Sequence, residues 1–211
     1  MTQNLDETIN NSFPKNSKNL NQELIKIDVP SKIQAQLIET AIIITDYHQG
    51  NFLYSGGRYF GKPLGINKPK INVYYQKPFE LSFIEAFYLL KKGKIEIFDP
   101  KKNCCISLEE LEMQASKYEE SFKDKYEIYE DLRDKGYIVR PGLKFGADFC
   151  VYREGPGIDH SPYIIQVVPK SIKMKAIDIT RAGRLANSVK KRFIIANALN
   201  KTYYAFKWIK P

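Results

Sequence analysis

The sequence predicts a mixed α/β (α+β) protein in two units. A small N-terminal domain of sheet plus helices spans residues 25–115, and a C-terminal α/β domain with a mixed central sheet spans 116–211. Three observations carry this. Ser82 and Ser107 each stand before an apolar periodic run and are followed three residues later by Glu85 and Glu110, the signature of a capped helix start. Short β-branched and aromatic runs alternate with those helices, as in a sheet with helices packed on it. A chain of 211 residues with 43% apolar content has material for one core or two small ones.

Residues 1–24 are rich in Asn, Ser and Lys and predict a disordered tail. Ile42-Ile43-Ile44 has strand character, and the glycine-punctuated stretch Gly50–Gly65 reads as hairpins and turns. That stretch lacks the Gly-Lys-Ser/Thr ending of a phosphate-binding P-loop. The helix opened by Ser82 spaces Phe83, Phe87 and Leu90 along an apolar face and stops at Gly93. Lys94–Phe98 alternates as a strand, and the helix from Ser107 runs toward Tyr118.

In the second unit a helix from about Phe122 to Lys135 places Phe122, Tyr126, Tyr129 and Leu132 on one side, and Gly136 ends it. Strands are expected at Tyr137–Val139, Phe145–Tyr152 and Tyr163–Val168. After Pro169 a helix from about Ile179 to Lys191 buries Ala182, Leu185, Ala186 and Val189, and strands Phe193–Ala198 and Tyr203–Ile209 complete the sheet. The last strand alternates so that Tyr204, Phe206 and Trp208 share a face.

The formal charge of +9 and pI near 9.3 suit a polyanionic partner, nucleic acid before membrane, or reflect a general preference for lysine. No apolar run approaches the roughly 18 residues that span a bilayer. Asp6 and Glu7, with no apolar stretch beside them, argue against a signal peptide. Three cysteines, two of them adjacent (Cys104, Cys105), form neither a disulfide framework nor a zinc-ligand spacing, and point to a reducing, cytoplasmic setting.

Arg181, Arg184, Ser188 and Lys191 are spaced three, four and three apart and share the helix face opposite the apolar one. Such a run is ordinarily a solvated face, and a lone histidine such as His48 is ordinarily a surface or capping residue. His160, however, follows the Gly155-Pro156-Gly157 turn, eight residues after Tyr152, so the turn would bring two strand ends together at one sheet edge.

Four features now stand in order: the helix end D-L-R-D-K-G-Y, the strand K-F-G-A-D-F-C-V-Y, the strand start H-S-P-Y and the helix end S-V-K-K-R. In sequence and spacing they resemble the catalytic domain of the archaeal-type tRNA-splicing endonucleases, whose fold is a nuclease-like α/β domain. The resemblance implies a catalytic triad of Tyr152, His160 and Lys191, with Arg184 stacking on a flipped-out bulge base and Arg181 and Ser188 beside it on the RNA-facing helix. It further implies that the substrate is precursor tRNA, cut at bulge-helix-bulge motifs without cofactor or metal, leaving 2′,3′-cyclic phosphate and 5′-hydroxyl ends.

Cleavage through the RNA's own 2′-hydroxyl needs a base, an acid and a cation, and these three side chains can supply them. The family makes tyrosine the base and histidine the acid. A phenol titrating near 10 is a poor base beside an imidazole near 6.5, so the division between Tyr152 and His160 stays open. Neighbouring Arg153 and Lys191 would favour the phenolate.

Two alternatives remain. A metal-dependent nuclease needs an acid-x-Lys strand after Asp148, but that strand reads I-I-Q-V-V with Gln166, so Asp148 is expected to be structural, bonding the turn or backbone around Gly142 and Gly146. A non-catalytic RNA-binding subunit of the same assembly would be expected to lack part of the triad. The resemblance also implies a tetramer, in which an acidic loop between the last two strands docks on another subunit. The matching loop Asn197–Thr202 holds no carboxylate, so a heterotetramer with a non-catalytic relative is expected, a homotetramer being the alternative.

Overall fold

The computed structural model describes residues 32–55, 58–70, 73–158, 163–171, 173–175, 177, 179–180, 183–184 and 191–206. The expected tail, the expected triad member His160, and Arg181 and Ser188 lie outside the described residues.

Two mixed sheets form. In the first, β1 (Ile33–Ile38), β2 (Ala41–Ile44), β3 (Lys62–Pro63), β4 (Phe79–Leu81), β5 (Ile95–Asp99) and β6 (Cys104–Cys105) are ordered β3-β4-β2-β1-β5-β6, with only β1 and β5 parallel. In the second, β7 (Ile138–Pro141), β8 (Phe149–Tyr152), β9 (Tyr163–Val168), β10 (Arg192–Asn197) and β11 (Thr202–Phe206) are ordered β11-β10-β9-β8-β7, with only β9 and β10 parallel. Helices α1 (Tyr47–Tyr54), α2 (Phe83–Lys91), α3 (Leu108–Tyr118) and α4 (Phe122–Asp134) accompany them. Among the described residues no helix is long and apolar enough to cross a membrane.

Both capping boxes form as the sequence predicts: Ser82 and Ser107 accept from the backbone of Glu85 and Glu110, whose carboxylates bond back. Helix α4 buries Phe122, Tyr126, Tyr129 and Leu132 as expected, and also Ile128.

Elsewhere the structure departs from the sequence reading. Gly50 does not mark a turn but sits inside α1, where Asp46 caps the helix by accepting from His48 N–H. A Cβ at Gly50 would overlap the Phe79 ring, so the glycine is there for close helix-on-sheet packing. In α2 the buried face is Ile84, Glu85, Ala86, Phe87 and Leu89, while Phe83 and Leu90 are half-buried. The expected strand Phe145–Tyr152 begins only at Phe149. Residues Leu143–Phe145 form a 3₁₀ turn closed by Gly146 in left-handed conformation. A Cβ on Gly142 would lie 2.7 Å from the Phe149 backbone, which is why this hairpin needs a glycine there.

The two sheets share one continuous core. Ile44, Phe79 and Ile97 from the first belong to the same buried cluster as Val139, Val151 and Ile165 from the second. A buried ion pair crosses the same seam. Glu85, 3% exposed, accepts from Gly61 N–H (3.1 Å), Ser82 N–H (3.0 Å) and Ser82 Oγ (2.7 Å), and Arg140 Nη1 lies 2.8 Å from its Oε1. Arg140 Nη1 also donates to Tyr59 O at 2.7 Å.

Removing one partner of a buried pair leaves the other charged and unpaired, at a cost of about 3–5 kcal/mol. Arg140→Ala should therefore lose about that much stability in urea unfolding. The double variant Arg140→Met/Glu85→Gln, which removes both charges, should be less destabilised than the single one.

Candidate active site

The site is built from the parallel pair β9–β10 and the strand β8 beside it. Val151 faces Tyr163 across one ladder, and Tyr163 faces Arg192 across the next. One residue further along the same row lie Tyr152 on β8 and Lys191 at the entry to β10. Two strand spacings separate them, about 10 Å between backbones.

The pleat puts them on the same face. Cys150, Ile164, Phe193 and Ile195 form a small second cluster on one side of this sheet, whereas Phe149, Val151, Ile165 and Ile194 belong to the main core on the other. Tyr152 and Lys191 stand two positions from Cys150 and Phe193, so alternation aims both toward the second cluster. Phe145, Met174 and Ile179 cover that cluster. Lys191 Nζ lies 5.1 Å from the centre of the Phe145 ring, and Lys144 Nζ lies 5.7 Å from it. Phe145 thus offers its electron-rich face to two ammonium groups, a role invisible while it was read as a strand residue.

The β9-to-β10 crossover passes over this face. Residues 177, 179, 180, 183 and 184 are helical, Ile179 packs on the second cluster, and Arg184 is exposed. Tyr152 and Lys191 therefore stand on one face of one sheet, and Arg184 belongs to the crossover whose Ile179 packs on that face. The structure says nothing of His160, Arg181 or Ser188, which lie outside the described residues. Arg153 is placed by a different phenol: its Nη2 donates to Tyr163 Oη at 3.0 Å.

Buried phenols near the site are held protonated. Burial pushes both Tyr54 and Tyr137 up to about 12, against the pull of Arg140 on Tyr54 and of Arg153 on Tyr137.

Asp148 is structural, but not through the Gly142–Gly146 turn as expected. Its Oδ2 accepts from Val167 N–H (2.8 Å) and Gln166 Nε2 (2.7 Å), and its Oδ1 lies 3.1 Å from Lys125 Nζ. Only its main chain serves the turn, its carbonyl accepting from Gly142 N–H at 2.8 Å. Burial works against the charge on Lys125, but Asp148 and Glu119 outweigh it and raise the ammonium above its usual range. Among the described residues no three side chains of His, Cys, Asp or Glu converge as metal ligands would. Asp148→Ala should strand the Val167 N–H and leave half-buried Lys125 with Glu119 as its ion-pair partner, lowering stability by about 1–3 kcal/mol in thermal or urea unfolding.

Comparison with known proteins covers both halves of the chain. Residues 33–112 match the family model of the tRNA intron endonuclease N-terminal domain, and residues 122–203 match that of its catalytic C-terminal domain. The chain is 39% identical over 183 residues to a tRNA-splicing endonuclease of Hyperthermus butylicus, covering 85% of this chain and 99% of that protein. It is 38% identical over 182 residues to tRNA-splicing endonucleases of Saccharolobus islandicus and Saccharolobus solfataricus, covering 84% of this chain and 99% of each.

Proposed function

The chain belongs to the tRNA intron endonuclease family, and on that premise we propose that it is the catalytic subunit that excises introns from precursor tRNA. The observation that carries the catalytic reading is the row formed by Tyr152 and Lys191, on one face of the second sheet, beneath the crossover that bears Arg184. A non-catalytic subunit would have no reason to keep this arrangement together with a histidine at position 160.

In this reading the RNA's 2′-hydroxyl loses its proton to a base and attacks the adjacent phosphorus. The bond from phosphorus to the 5′-oxygen breaks, and that oxygen takes a proton from an acid. The products are a 2′,3′-cyclic phosphate and a 5′-hydroxyl, with no water consumed. Tyr152 and His160 share the base and acid roles, each transfer contributing about 10²–10⁴-fold. Lys191 supplies the cation for the pentacoordinate intermediate, a preorganised charge contact of about 3–4 kcal/mol. Arg184 stacks on an unpaired bulge base, and Arg181 and Ser188 contact the RNA beside it. Recognition is then of a bulge-helix-bulge shape together with its splayed, unstacked bases, as RNA recognition commonly works.

No step passes through a metal. The metal-nuclease reading is disfavoured because Asp148, its one carboxylate candidate, is occupied by Lys125, Gln166 and Val167. Incubation with a bulge-helix-bulge RNA in excess EDTA should yield cyclic-phosphate ends. The same RNA with 2′-deoxyribose at the cleavage positions should bind and stay intact. Lys191→Ala and His160→Ala should slow single-turnover cleavage by at least about 10²-fold with affinity kept, while Arg184→Ala weakens bulge recognition, stacking being worth about 1–3 kcal/mol per base. Cleavage strictly dependent on added Mg²⁺ would return the metal-nuclease reading.

For the assembly, the turn between β10 and β11 supports the following reading. Two of its side chains bond within it: Asn197 Oδ1 accepts from Leu199 N–H (2.9 Å), and Asn200 Oδ1 from Thr202 Oγ1 (2.7 Å). It holds no carboxylate to enter a basic pocket on another copy. We therefore favour a heterotetramer, two copies of this chain with two of a non-catalytic relative that brings an acidic loop. Light scattering should find the isolated chain as monomer or dimer with little activity, restored by that relative. A fully active homotetramer would favour the alternative.

A further inference from the structure

Tyr59 has left-handed backbone, φ 53°, a conformation that few bulky side chains adopt. Such backbone persists only where its surroundings over-determine it, and here they do. Tyr59 N–H donates to Tyr54 O (3.2 Å), and Phe60 N–H to Leu53 O (3.0 Å). Gly61 N–H donates to the buried Glu85 carboxylate (3.1 Å), and Arg140 Nη1 holds Tyr59 O at 2.7 Å. The Phe60 ring stacks on Tyr88 at 5.9 Å and lies 4.1 Å beneath the Arg133 guanidinium. All this rigidity fixes one ring, 2% exposed, edge-on against Tyr54 of its own half and facing the other half on its far side.

That ring meets the turn after Tyr152. Gly155 has φ +132°, and a Cβ added there would overlap the Tyr59 ring and come within 2.8 Å of its hydroxyl oxygen. The turn is closed by Ile158 N–H donating to Gly155 O at 3.1 Å. It contains Gly155 and Gly157, both at positive φ, so it has little stiffness of its own. It begins directly after Tyr152 and leads, in sequence, to His160.

We propose that Tyr59 is a positioning residue: its ring is the fixed wall against which the turn 153–158 rests, so the N-terminal half sets the placement of Tyr152 and the turn that follows it. This rests on the catalytic reading above. A displacement near 1 Å in such a site can cost about 10²-fold in rate.

The test uses the full chain in its active assembly, with single-turnover cleavage of a bulge-helix-bulge RNA and RNA affinity measured in parallel. Tyr59→Leu should cut the rate by at least about tenfold with affinity within about twofold, and Tyr59→Phe, which keeps the ring, should restore it. If Tyr59→Leu fails to fold, Gly155→Ala tests the same contact from the turn side and should show the same split. Near-wild-type cleavage by either folded variant, or an equal loss of rate and affinity, would overturn the positioning role alone. A wild-type assembly that leaves the RNA uncut would instead remove the functional reading on which it rests.

Discussion

One buried carboxylate holds the two halves of this molecule in register. Glu85 takes three protein donors and a guanidinium, from its own helix cap, from the loop before β3 and from β7. A charge removed from water is tolerable only when so fully bonded, and the same requirement makes its geometry specific. Because Arg140 reaches Tyr59 O as well, the pair fixes both the seam and the segment 59–61 that crosses it. The apolar core, continuous through both sheets, provides the bulk of the burial, but apolar contact is non-directional. The ion pair supplies the direction.

The second sheet converts that frame into a site. A parallel pair needs a long crossover, and the one between β9 and β10 carries Arg184 over the face on which Tyr152 and Lys191 stand. Side chains far apart in the chain thus reach one row through ladder register alone. Asp148 guards that register: bonded to Val167 N–H and Gln166 on β9 and paired with Lys125 on α4, it ties the start of β8 to both. Its chemistry is spent on alignment.

Much of this was legible in the sequence, and the reasons are local. The Ser82–Glu85 and Ser107–Glu110 boxes and the apolar stripe of α4 are decided by contacts three or four residues apart, so the chain alone fixes them. The motifs around Tyr152, His160 and Lys191 mark the family because residue types and spacings survive in one dimension. The sequence by itself therefore determined helices α2, α3 and α4, most strands of the second sheet and the family.

What it left undecided depends on partners distant in the chain. Gly50 reads as a turn until Phe79, 29 residues later, is found against its α-carbon. Phe145 reads as a strand residue until Gly146 takes left-handed backbone and turns its ring toward Lys144 and Lys191. Glu85 reads as a helix cap and nothing more until Arg140 arrives from the other half. Only the tertiary structure decided these, because each is a contact between segments whose proximity is created by folding and leaves no period or spacing in the sequence.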